Sequence, residues 1–161
     1  MPISFHSNNS TKLLQMRMKG TISFFNEGIT FNLPKKTQTK FWIKEVINDD
    51  NKTCGLINYI FCSDSFLLEL NKTYLNHTTL TDIITFDNSG ANIISGEIYI
   101  SIERVKENAL LYSQSFTDEL NRVMIHGILH LLGNMDKSPH DKSKMHKKED
   151  DCLALLDSIK A

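Results

Sequence analysis

At 161 residues the chain is long enough to bury one hydrophobic core and too short for two comfortable domains. With 40% of its residues apolar and 23% charged, it has the balance of a globular chain and not of a disordered one. A net charge of -1 with neutral histidines excludes the basic surplus of a general nucleic-acid binder, so any phosphate-binding surface must be local.

Cys54, Cys62 and Cys152 form an odd set without C-x-x-C spacing, which argues against a disulfide framework and against a cysteine zinc site. Ordinary thiols in a reducing cytoplasm are the expectation. No apolar run approaches the roughly 18 residues of a membrane span. The stretch "MPISFHSNNSTKLLQMRMKG" lacks the apolar core of a secretory signal, so a soluble, cytoplasmic protein is expected.

Residues 1–19 are polar and patternless, which suggests a flexible leader or a start assigned too far upstream, with Met16 or Met18 as the true beginning; one domain then covers 20–161. Strand-like alternation begins at "TISFF" (21–25). After Pro34 and a polar turn, Phe41, Trp42, Val46 and Ile47 are spaced for one face of a helix over 36–49. "GLINYIFC" (55–62) reads as a strand, and Ser63 and Asp64 can cap a helix whose apolar side is Phe66, Leu67, Leu70 and Tyr74. "TDIITFD" (81–87) and "GEIYIS" (96–101) are two more β-branched and aromatic runs. Ser101 and Ser115 can each cap a following helix, the second ending at Gly133. "SPHD" supplies a serine cap, a proline at the first helical position and an aspartate at the third, opening a last helix from Pro139 to about Ile159. This order implies an α+β fold with a small mixed β-sheet packed with about five helices.

The chemistry concentrates in "HGILHLLGNMD", 126–136. Residues four apart on a helix lie on one face about 6 Å from each other, so His126 and His130 can share a metal ion, as on the metal-binding helix of a zincin. Gly133 breaks the helix and lets Asp136 bring a carboxylate to a third position, the ligand count of a catalytic zinc with one site left open. His140 and His146 are alternative third ligands, although His140 falls among lysines. Gly127 inside the helix costs about 1 kcal/mol relative to alanine and implies close approach by another backbone. It also stands where a zinc peptidase carries its glutamate base, which subtracts that reading. Local phosphate-binding candidates are "KKTQTK" (35–40) and the run Lys137, Lys142, Lys144, Lys147 and Lys148; the second reads equally well as a solvated face balanced by Glu149, Asp150 and Asp151.

These residues carry a resemblance. His126, Gly127, Leu129, His130, Leu131 and Gly133 resemble the H-G-x-L-H-L-x-G-x-D-H motif of the YbeY family, bacterial zinc-dependent endoribonucleases of ribosomal RNA maturation. "LNKTYLNHTTLTDIITFD" (70–87) is similar to that family's L-N-x-x-[YF]-R-x-x-x-x-x-T-D-V-L-S-F segment, and "GEIYIS" to its G-D-I-x-I strand, so the likeness runs over about 21–155. It implies one zinc held by His126, His130 and Asp136, and single-strand-specific cleavage at the 3′ end of small-subunit ribosomal RNA. Ribosomal RNA, the small ribosomal subunit and a ribosomal protein or assembly GTPase would be its partners, with no membrane. Two departures from the family matter. Asp136 stands where the family has its third histidine, and Leu75 where it has an arginine implicated in activity. Arg104, at the start of a helix, is the candidate to supply the missing guanidinium, against the alternative of a surface arginine paired near Glu103 or Glu107. Two other functions stay open: a zinc-stabilised ribosome-associated factor with little nuclease activity, and a metal-dependent hydrolase of another substrate with Asp82 or Glu97 as base.

Overall fold

The computed structural model describes residues 7–161, in the order α1 (Ser7–Arg17), β1 (Thr21–Glu27), α2 (Lys36–Asp49), β2 (Thr53–Cys62), α3 (Asp64–Leu75), β3 (Ile83–Asp87), β4 (Ile93–Ser101), α4 (Ile102–Leu111), α5 (Phe116–Leu131) and α6 (Pro139–Lys160). The expected α+β class and small mixed sheet are present: the strands lie in the order β1-β2-β4-β3, β1 and β4 parallel to β2, β3 antiparallel to β4. Among the described residues no helix is long and apolar enough to cross a membrane.

The serine caps form as their sequence positions imply. Ser63, Ser101, Ser115 and Ser138 accept from the backbone N–H groups of Phe66, Arg104, Asp118 and Asp141, which satisfies one orphan donor at the start of each helix. α1 is a helix that the sequence had not suggested. It has no apolar stripe, and Leu13 and Leu14 are exposed; it is held through its C-terminal end, where Arg17 pairs with Glu45 and Asp49 of α2 and its carbonyl accepts from Asn48. The first six positions of the expected leader lie outside the described residues.

Alternate strand residues leave on opposite faces, and this sheet buries both. Ile57, Tyr59 and Phe61 of β2 and Ile98 and Ile100 of β4 join the main core beneath α2, α5 and α6. Cys62, Ile84, Phe86 and Tyr99 pack on the other side under Phe66, Leu67 and Leu70 of α3. Two helix positions differ from expectation. In α2 the buried arc runs through Trp42, Ile43, Val46 and Ile47, which leaves Phe41 at the exposed edge. Tyr74, expected on the buried side of α3, is exposed and sets its ring edge-on against Phe86.

α5 lies close on the β3–β4 pair, and Gly127 is the reason. A Cβ there would sit 2.9 Å from Ile98 Cγ2 and 3.0 Å from Ile83 Cδ1, so the close approach is by strand side chains and not by the backbone that the sequence reading had expected. Further along the contact, Gly96 of β4 leaves room for Leu131. The fit sets the histidine face of α5 beside the residues that lead into β3.

Candidate metal centre

His126 and His130 sit one turn apart on α5, and the end of that helix is what brings Asp136 to them. Gly133, at φ 93°, takes the left-handed conformation; its N–H donates to His130 O at 2.9 Å and the Asn134 N–H to Leu129 O at 3.0 Å. These are the two hydrogen bonds of a Schellman motif, which folds the chain back on the helix. Asp136 Oδ2 then lies 3.2 Å from His126 Nε2 and 3.1 Å from His130 Nε2, and the two nitrogens are 2.9 Å apart.

That triangle fits a metal ion. Ligand atoms about 2.0–2.1 Å from a tetrahedral zinc are about 3.3 Å from one another, within a few tenths of an ångström of each edge here. Two imidazole nitrogens and one carboxylate oxygen suit zinc or another borderline transition metal better than magnesium or calcium. The triad is the one such cluster among the described residues, so His140 and His146 stand outside it. His146 instead neighbours Arg122 and Asp150.

The sequence reading missed the residue that orients the site. Glu149 of α6 is buried, and its Oε2 lies 2.7 Å from His126 Nδ1. A carboxylate can only accept, so Nδ1 carries the proton and Nε2 turns its lone pair to Asp136 and His130. The other oxygen of Glu149 accepts from Arg122 at 3.0 Å, and Arg122 also binds Asp150 at 2.6 Å. Glu119, Arg122 and His126 recur at helical spacing on α5, a pattern that could have marked this face in the sequence. Glu149, 23 residues from His126, gave no such signal.

Negative charge gathers around the triad. Burial raises the Asp82 carboxyl above the usual aspartate range, with His126 opposing. It raises Glu119 as well, where Asp82 adds to the shift and Arg122 opposes it. Burial also disfavours a charged His126, but the hydrogen bond and charge of Glu149, with Asp136 and Asp82, outweigh it and hold the imidazole above its ordinary value. Four carboxylates around one engaged arginine favour a bound cation.

Two open clefts meet at this point. One, of about 530 Å³, is lined by Leu75, Asp82, Ile83, His126, His130, Asp136 and Lys137 among others. The second, of about 490 Å³, shares Asp82, Ile83, His126 and Asp136 and continues past Tyr112, Glu119, Arg122 and Lys142. Together they form a groove that crosses the triad. Arg104 lines neither cleft: its guanidinium is bound by Asp64 at 2.9 Å and Glu107 at 2.7 Å. Glu97 also lines neither and accepts from the Tyr99 hydroxyl at 3.3 Å. Of the lysine runs, Lys137 and Lys142 face the groove, while Lys147 pairs with Asp151 and Lys40 stands over the Phe24 ring.

A family model described as Endoribonuclease YbeY matches residues 24–157. The chain belongs to the YbeY family. It is similar to the Endoribonuclease YbeY of Flavobacterium psychrophilum, 53% identical over 132 residues that cover 82% of this chain and 94% of the relative. That of Christiangramia forsetii is 46% identical over 138 residues, covering 86% and 96%. A solution structure of a Thermotoga maritima protein superposes with a TM-score of 0.57 at 26% identity, over 86% of this chain and 93% of that one. The YbeY likeness thus spans every element from β1 to α6 and contains the whole triad.

Proposed function

We propose that the chain is a zinc-dependent, single-strand-specific endoribonuclease of ribosomal RNA processing. It would act at the 3′ end of small-subunit RNA during late ribosome maturation in the cytoplasm, through one catalytic domain over 20–161. The observation that carries this reading is the convergence of His126 Nε2, His130 Nε2 and Asp136 Oδ2 at the floor of an open groove, in a family whose curated relatives are named endoribonucleases.

A zinc ion held by His126, His130 and Asp136 would supply Lewis-acid polarisation of a phosphodiester oxygen and acidify water. The chain's own groups supply the rest. Glu149 holds the His126 ring with Nε2 toward the groove. Asp82, whose carboxyl burial makes more basic than usual, lies where the two arms meet and accepts the proton of the attacking hydroxyl. Asp82 then returns that proton to the leaving oxygen, while Glu119 lines the arm beside it. Lys137 and Lys142, one in each arm, contact phosphates on either side of the scissile bond, where Leu75 contributes only an apolar wall. Arg104, spent on two carboxylates, braces α4 against α3 in this scheme.

Cleavage of a structured ribosomal RNA fragment tests the reading. The native protein should carry about one zinc per chain and cut single-stranded segments. A His126→Ala, His130→Ala double variant should do neither, and cleavage that persists in it defeats the claim. Asp82→Asn should keep the zinc and lose most of the rate; Arg104→Ala should leave the rate unchanged. Leu75, 47% exposed in the groove wall, favours a second reading, a zinc-stabilised ribosome-associated factor with little nuclease activity. Binding to small ribosomal subunits, directly or beside a ribosomal protein or GTPase, without any cleavage would support that reading instead.

A further inference from the structure

Tyr112 follows α4 and lines the arm of the groove that holds Lys142. Among the described residues lining the two arms it is the only Phe, Tyr or Trp. It is 60% exposed, and its side chain makes no hydrogen bond or ring contact with the described residues. Its backbone, in contrast, is pinned. The N–H donates to Asn108 O at 2.9 Å and the carbonyl accepts from Gln114 Nε2 at 3.4 Å. Ser113 then turns away in the left-handed region at φ 54°. Asn108 also donates to Asp82 Oδ2 at 3.4 Å, which ties this turn to the carboxylate where the arms meet. The result is an unengaged aromatic ring on a fixed turn, inside the groove that crosses the triad.

The charges around the ring favour one kind of occupant. Glu119 and Glu149 keep an anion out of the deep part of the arm, and Arg122 is committed to Glu149 and Asp150. Lys142 lines the same arm and forms no ion pair among the described residues. A phosphate therefore stays with Lys142, and an uncharged flat group is what the ring can take. Every nucleobase has a face suited to such stacking, and that face is covered in a duplex.

We propose that Tyr112 is the stacking platform of a nucleotide subsite, on which one unpaired base of the substrate lies while Lys142 contacts an adjoining phosphate. This rests on the endoribonuclease reading above and deepens it. Single-strand selectivity then comes from the requirement for a free base face at Tyr112 and needs no readout of sequence.

The test is binding by the metal-free protein, in the presence of a chelator, to a labelled single-stranded oligoribonucleotide, followed by fluorescence anisotropy. Tyr112→Ala and Tyr112→Leu should each weaken binding roughly tenfold, and Tyr112→Phe should bind within about twofold of the native chain. In a series of oligonucleotides each with one abasic position, one member should lose the same factor on the native protein and lose nothing more on Tyr112→Ala. Circular dichroism and thermal melts check that each variant is folded, and the leucine variant keeps apolar bulk if alanine does not fold. Unchanged binding by folded Tyr112→Ala or Tyr112→Leu overturns the subsite alone. A native chain that binds no single-stranded RNA, either metal-free or loaded with zinc, overturns the endoribonuclease reading and the subsite with it. Exposed Leu110 and Leu111 adjoin Tyr112; if Tyr112→Ala and Leu111→Ala both weaken binding to small subunits and neither weakens oligonucleotide binding, the edge is a protein contact and the proposal fails.

Discussion

Glu149 is placed to govern a metal ion that it would not touch. It fixes the tautomer and the direction of His126 through Nδ1, and partners of this kind typically alter metal affinity 10- to 100-fold. We expect Glu149→Ala to lower zinc affinity by roughly that factor while His126, His130 and Asp136 stay in place, measured by competition with a chromogenic chelator; an unchanged affinity would remove Glu149 from the site. Glu119 offers a test by pH. It is 6% exposed and forms no ion pair among the described residues. Burial, then Asp82, and finally Glu149 push its carboxyl above the ordinary 4.5, against Arg122. A group raised on folding stabilises the fold below its unfolded pKa, and that contribution is lost as pH rises through the folded pKa. In metal-free protein the urea-unfolding free energy of Glu119→Gln should therefore gain on the native chain as pH rises from about 4.5 toward neutrality. A native chain that keeps its advantage at neutral pH contradicts this.

At the scale of elements, α5 depends on one cap and one gap. Losing the Ser115 hydroxyl, which accepts from the Asp118 N–H at 3.1 Å, should cost about 1 kcal/mol in Ser115→Ala. Gly127→Val drives two methyl groups and a Cβ into Ile98 and Ile83, and overpacking of this kind costs about 1–3 kcal/mol, so chemical denaturation should show a loss near the upper end. Ser115 could be read from the sequence because a cap acts within a turn of itself, whereas Gly127 marked a close approach without showing that Ile98 and Ile83 make it. The same locality explains the four serine caps, the strand alternation and the His126, His130, Asp136 set. It also explains what was not legible. Which edge of α2 faces inward, Phe41 or Ile43, is settled by the sheet beneath it. Docking of α1 depends on Arg17 meeting Glu45, 28 residues away. Glu149 becomes a partner of His126 only once α6 has packed across α5. Arg104 could be assigned a phosphate only so long as Asp64 and Glu107 were not known to hold it.

For the molecule as a whole, a net charge of -1 leaves little long-range attraction for RNA, and among the described residues the groove's cations outside any ion pair are Lys137 and Lys142, Arg122 being held by Glu149 and Asp150. Each phosphate neutralised on a single strand contributes about -0.7 to the slope of log affinity against log salt. Two contacts predict a slope of about -1.4 for oligoribonucleotide binding, and a slope several times steeper would show that RNA follows a surface other than this groove. The three cysteines are not expected to disturb such measurements. Burial pushes the thiols of Cys54 and Cys152 up to about 11 and that of Cys62 to about 12, so all three are poor nucleophiles near neutral pH.

Trp42 is the chain's single tryptophan; it is fully buried, and its indole N–H donates to the Cys152 carbonyl of α6 at 2.8 Å. The helix that receives this bond also carries Glu149 to His126. The emission of one indole therefore reports, without a label, whether α6 is seated behind the histidines. A variant that loosens α6 will show itself by colour before it shows itself by rate.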